Sequence, residues 1–118
     1  MNTITIVGRL GRDPEIRFTQ DGKPVGTFSV AVDHGRDDNK KTTWHNVVCF
    51  GTLAENVCQS IGKGSRVIVS GRIEISDYET KDGEKKKKTE LIADAVGLEL
   101  RFDAVGFTPT YSEPEEDF

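Results

Sequence analysis

Residues 43–64 contain a single change of period, and few folds accommodate it. Trp44, Asn46, Val48 and Phe50 alternate with Val47 and Cys49, the two-residue period of a strand. Val47 and Cys49 are small and apolar and suit a packed core. Asn46, flanked by two large aromatics, suits a face that meets something outside. Leu53, Val57 and Ile61 then recur every four residues, with Ala54 and Cys58 beside them, as in the apolar stripe of a short helix. Thr52 and Glu55 have the spacing of a capping box, and Gly62 stands where a left-handed stop is expected. The fold must therefore run one strand with outward aromatics directly into one short helix.

The rest of the chain supplies strands. Ile4 and Ile6 alternate with Thr3, Thr5, Val7 and Arg9, while Gly8 and Gly11 suggest a strand that bends sharply. Asp13-Pro14 breaks that pattern. Residues 15–19 form a short strand, Asp21-Gly22 a hairpin turn, and residues 25–32 a longer strand with Phe28, Val30 and Val32 in phase. A polar loop spans residues 34–41. Beyond the helix, Val67, Val69, Ile73 and Ile75 share a phase with Gly71 between them. Asp82-Gly83 and Lys85, Lys86, Lys87 and Lys88 make a charged hairpin tip, and residues 89–100 return as the last strand. Five strands with one helix between the third and fourth describe an all-β OB-fold, a Greek-key barrel. An SH3-like barrel lacks the inserted helix, and a ferredoxin-like fold needs two.

Regular apolar patterning fades after Asp103, so residues 1–103 are expected to form one OB-fold domain and residues 104–118 a disordered, flexible acidic tail. The tail decides how the net charge of −4 is read. Glu113, Glu115, Glu116 and Asp117 account for the whole excess, and without them acidic and basic residues balance at 16 each. The folded part can thus still present a basic groove to an anionic partner. Two cysteines are too few for a disulfide framework and are expected as reduced, buried thiols. No apolar run reaches membrane-spanning length and no signal region opens the chain, so the cytoplasm is expected and a membrane partner is not.

Trp44 and Phe50 are the main site candidates. Lone aromatics are usually core, but here the opposite face of their strand already supplies Val47 and Cys49. Aromatics exposed on a β-surface are stacking platforms for unpaired bases. Phe18, Phe28 and Tyr78 are further candidates for the same role. The run from Lys85 to Lys88 reads either as a solvated tip that discourages edge pairing or as an arm that follows phosphates. His34, His45, Cys49 and Cys58 lack metal-ligand spacing, and Gly62-Lys63-Gly64-Ser65 lacks that of a phosphate-binding loop. No catalytic residue, metal, cofactor or enzyme activity is therefore expected. The acidic end closes on Phe118, which suits capture by a basic pocket on another protein, with a chance aromatic at a disordered end as the plainer alternative.

Together these stretches resemble the bacterial and phage single-stranded-DNA-binding protein family. They are Asn2 to Phe18 with its Gly8-Arg9-Leu10-Gly11-Arg12-Asp13-Pro14, Val25 to Ala31, Trp44 to Glu55, and Lys63 to Arg72. The resemblance implies an OB barrel assembled into a homotetramer that wraps unpaired DNA without sequence preference. It places Trp44 and Phe50 on the family's stacking positions, and Tyr78 on another. It also implies that Glu113, Glu115, Glu116, Asp117 and Phe118 form the tip that recruits replication and repair proteins. The chain departs from the family pattern in three places. Residues 34–36 lack a tryptophan common there, the tip ends Asp117-Phe118 rather than in Pro-Phe, and the linker is very short.

The expected function is thus sequence-independent binding and protection of single-stranded DNA in replication, recombination and repair. Arg9, Arg72 and the four lysines would neutralise phosphates, in a bacterial nucleoid or in the host cytoplasm if the protein is phage-encoded. The alternative is an OB-fold protein-interaction module of the replication-restart type with weak DNA binding. An OB-fold nuclease is disfavoured by the missing carboxylate cluster.

Overall fold

The computed structural model describes residues 2–106. Six strands form one sheet: β1 (Ile4–Leu10), β2 (Glu15–Phe18), β3 (Pro24–His34), β4 (Lys41–Phe50), β5 (Arg66–Glu79) and β6 (Lys85–Leu98). Helix α1 (Thr52–Ser60) lies between β4 and β5, and a single 3-10 turn, Asp37–Asn39, sits in the β3–β4 loop. The strand order is β1-β5-β6-β4-β3-β2, and β1 also pairs with β3. That extra pairing closes five strands into a circuit, leaving β2 as a sixth strand that pairs only with β3 among the described residues. Among the circuit strands the helix falls between the third and the fourth, as the patterning predicts for an OB barrel. The closing seam is short, holding only Arg9↔Ala31 and Leu10↔Val30. A Cβ on Gly8 would collide with the Ala31 carbonyl, so the glycine is what lets the two backbones meet.

The inward positions are those the alternation marks. Ile6, Leu10, Val30, Val47, Cys49, Val67, Val69 and Leu91 fill the barrel, and Ala54 and Val57 of α1 pack into the same core. Burial pushes the Cys49 thiol up to about 11, with Cys58 adding to the shift, and the thiol donates to the Gly26 carbonyl at 3.6 Å. Both cysteines are free; Cys49 is buried and Cys58 half-buried.

The helix ends differ from the expectation. Gly51, with φ of 68°, occupies the N-cap, and no side chain caps the helix. Thr52 is already the first helical residue, so its hydroxyl sits one position too late for a capping box. Glu55 still lies in the first turn, where a carboxylate favours the helix dipole. At the other end Ile61 turns extended, and Gly64 rather than Gly62 takes the left-handed conformation, with φ of 87°.

β5 and β6 continue past the barrel as a two-stranded arm that turns at Gly83. Lys85 to Lys88 belong to β6 itself, which corrects the expectation of lysines at the tip. The opposing strand supplies the reason: Lys85 pairs with Glu79 and Lys87 with Asp77, opposite charges across one ladder. Ile73 and Ile75 keep the core phase, but the arm has left the barrel, and they are exposed. After β6 the chain is pinned back by Arg66, whose Nε lies 2.9 Å from Glu99 Oε2. That hydrogen bond, above all, holds the Glu99 carboxyl below its ordinary range. Phe102 packs between the guanidinium groups of Arg66 and Arg101, at 4.8 and 4.6 Å from its ring centre.

Candidate nucleic-acid interface

Residues paired across neighbouring strands present their side chains on the same face. The register therefore lays out the outer face of β2, β3, β4 and β6 in rows. One row runs Arg17, Val25, Phe50; the next Glu15, Thr27, Val48, Ile92, Arg72; then Ser29, Asn46; and last Arg9, Ala31, Trp44. Trp44 and Phe50 stand 56% and 54% exposed, above small neighbours, Ala31 and Val25, in their rows. Between them Asn46 Oδ1 accepts a hydrogen bond from Ser29 Oγ at 3.2 Å. Val48 and Ile92 are buried against each other, which the simple alternation did not anticipate for an outward position. They form the apolar floor between the two aromatics.

The same face continues onto the arm. Counting by twos from Arg72 gives Glu74, Ser76 and Tyr78, opposite Glu90, Lys88 and Lys86. Tyr78 is 47% exposed. Lys85 and Lys87 fall on the reverse parity, with Ile73 and Ile75. The four lysines are thus divided between two faces, two on each. A groove of about 640 Å³ runs along Arg12, Arg17, Asn46 and Lys88, and a second of about 600 Å³ along Asn46, Tyr78, Lys87 and Lys88. Asn46 and Lys88 line both, so the two grooves adjoin where the barrel meets the arm.

Two of the five aromatic candidates leave this face. Phe28 is 5% exposed and belongs to the core, so its place among the stacking residues is corrected. Its phase with Val30 settles the matter, because that side of β3 faces the barrel interior. Phe18 is exposed, but its pairing with Pro24 sets it on the side of Ile16 and Gly26, away from the row of Phe50.

The floor of the groove is not strongly basic. Arg12, Arg17 and Lys88 are balanced by Asp13, Glu15 and Glu90 along its wall. The cations are also held by nearby carboxylates: Arg17 to Glu15 at 3.9 Å, Lys88 to Glu90 at 3.5 Å, Arg72 to Glu74 at 4.0 Å, and Arg9 to Asp33 at 3.7 Å. The Thr42 hydroxyl, 2.8 Å from Asp33, is the main cause of that carboxyl's lowered pKa. All four cations are well exposed, so these pairs stabilise little and a phosphate can replace the carboxylate at small cost. The proposed docking residues Glu113, Glu115, Glu116, Asp117 and Phe118 lie outside the described residues.

Among known proteins, the sequence profile of the single-strand binding protein family matches residues 1–99. A single-stranded DNA-binding protein of Thermotoga maritima is 40% identical over 125 residues, covering 99% of this chain and 89% of its own length. One from Paenarthrobacter aurescens is 41% identical over 107 residues, covering 85% of this chain. Another, from Mycobacterium tuberculosis, is 41% identical over the same length and share. The chain spans 63% and 65% of those last two relatives, and so less than two thirds of each.

Proposed function

The chain belongs to the single-strand binding protein family, and on that premise we propose that it binds unpaired DNA without sequence preference. The observation that carries this reading is the pair Trp44 and Phe50, half exposed on one face, with a hydrogen-bonded Asn46 between them. A surface aromatic over small neighbours contributes little to the fold, whereas each base stacked on it gains ~1–3 kcal/mol. Tyr78 extends the platforms along the arm, and Lys86, Lys88, Arg72 and Arg9 supply phosphate partners by exchanging carboxylates for the backbone of the strand. Residues 1–103 act as the binding domain. Residues 104–118 act as an acidic tail whose end, Glu113 to Phe118, recruits replication, recombination and repair proteins. The setting is the cytoplasm of a bacterium, or of a host cell if the gene is carried by a phage.

A homotetramer completes the proposal. β5 pairs with β1 from Ile4 to Arg9, while β3 reaches β1 only at Arg9 and Leu10. The other edge of residues 4–8 is left for another chain, and exposed Val7 and Ile68, paired across β1 and β5, offer apolar surface beside it. The balanced charge of the groove favours one other reading, a protein-interaction module with weak affinity for DNA.

An oligo(dT) titration followed through Trp44, the only tryptophan, separates the two readings. Stacking should quench its emission at stoichiometric DNA. The parity of the arm adds a sharper expectation. Changing Lys86 and Lys88 to Gln should flatten the slope of log K against log salt by about 0.7 for each phosphate no longer neutralised. Changing Lys85 to Gln, on the reverse parity and lining neither groove, should leave the slope nearly unchanged. A Lys85→Gln slope as flat as that of the Lys86 and Lys88 double variant would show that the arm does not bind by one face.

A further inference from the structure

We infer that Gly11 is a positioning residue for Trp44: lacking a side chain, it seats the edge of the indole against the link between β1 and β2. A Cβ on Gly11 would lie 2.7 Å from Cη2 and 2.8 Å from Cζ3 of Trp44, closer than carbon atoms pack. The backbone gives no other reason for a glycine, because Gly11 is not among the residues with positive φ. The ring is the reason. The link behind it is also held in place. The Lys63 N–H donates to Asp13 Oδ1 at 2.8 Å, the Leu10 N–H to the Ser65 carbonyl at 3.0 Å, and the Gly64 N–H to the Leu10 carbonyl at 2.9 Å. A wall fixed by three hydrogen bonds does not retreat from a new methyl group, so the indole must.

This rests on the reading of Trp44 as a stacking platform and deepens it: the platform is set from two sides, by Ala31 beside its base and by Gly11 at its far edge. An indole fixed in one pose gives up little freedom when a base lands on it, and one that swings gives up more.

The test is Gly11→Ala in the full chain, alone and combined with Trp44→Ala. In the free Gly11→Ala protein the emission should shift to the red and acrylamide should quench it more readily, because the ring edge is lifted into water. Oligo(dT) affinity should fall by ~3–10-fold, a part of what one stacked base contributes. In the Trp44→Ala background the same change should cost nothing further, since there is no ring left to displace. Circular dichroism melting of each variant checks that the fold is retained. Unchanged emission in the free Gly11→Ala protein would overturn the packing of the ring against Gly11. A loss of affinity that persists without Trp44 would overturn the positioning role. A wild type that ignores oligo(dT) would instead remove the functional reading and the stacking role with it, while the emission comparison still decides whether the ring rests on Gly11.

Discussion

Phe28→Ala should destabilise the domain by ~3–5 kcal/mol, the usual consequence of emptying a buried phenyl site. Phe28 sits in the cluster with Val30, Val47 and Leu91, on the side of β3 that faces the barrel interior. A small domain has of order 5–15 kcal/mol in total, so this one change removes from about a fifth of it to nearly all of it. Urea denaturation followed by circular dichroism would measure the loss as a lower midpoint at unchanged slope. DNA binding by the fraction still folded should remain close to that of the wild type. A stable Phe28→Ala protein with impaired binding would return Phe28 to the stacking surface and break the face assignment of β3.

The mirror-image result is expected for the two aromatics on the other face. Trp44→Ala and Phe50→Ala should each weaken oligo(dT) binding by ~1–3 kcal/mol, roughly 5- to 150-fold. Both side chains are about half exposed, and removing an exposed side chain typically changes stability within about 0.5 kcal/mol. The two sites lie in different rows with Val48 between them, so the double variant should lose close to the sum. Competition binding against a labelled oligo(dT) is the suitable measurement, because Trp44→Ala removes the intrinsic fluorophore. A large fall in melting temperature with intact affinity would mean that both rings support the fold.

The strand period was the part of the sequence that translated most directly. Val47 and Cys49 inside, Trp44 and Phe50 outside, follow from alternation alone, and so does the core phase of Phe28. Counting Phe28 also among the stacking candidates set its residue type above its phase, and the phase was the better guide. What alternation misses is where a sheet stops being two-sided. Val48 is outward by parity but buried, because a strand remote in sequence, β6, pairs with β4 and brings Ile92 beside it. Ile73 and Ile75 are inward by parity but exposed, because the barrel has ended before them. Both outcomes depend on long-range pairing that local pattern does not carry. The lysines were legible as an arm and not as two faces, since that division follows from their pairing with β5. The capping box failed for a narrower reason. Gly51 reached the cap first through a positive φ that the spacing of Thr52 and Glu55 does not encode. Gly11 carried a real signal, but a glycine in a turn-like segment looks the same whether it serves the backbone or a distant ring.

The closing seam has a consequence in time rather than in space. With only Arg9↔Ala31 and Leu10↔Val30 across it, the β1–β3 junction is one of two short links in the circuit, the other being the β4–β6 pairing, and short links open more readily than long ladders. Trp44 stands in the seam's own row, directly across from Ala31. A base stacked there bridges the moving part, so amide exchange along the end of β1 and the middle of β3 should slow on DNA binding more than it does in β5. Part of the stacking energy at Trp44 is then offset by motion that the seam gives up, and the measured affinity reports the remainder.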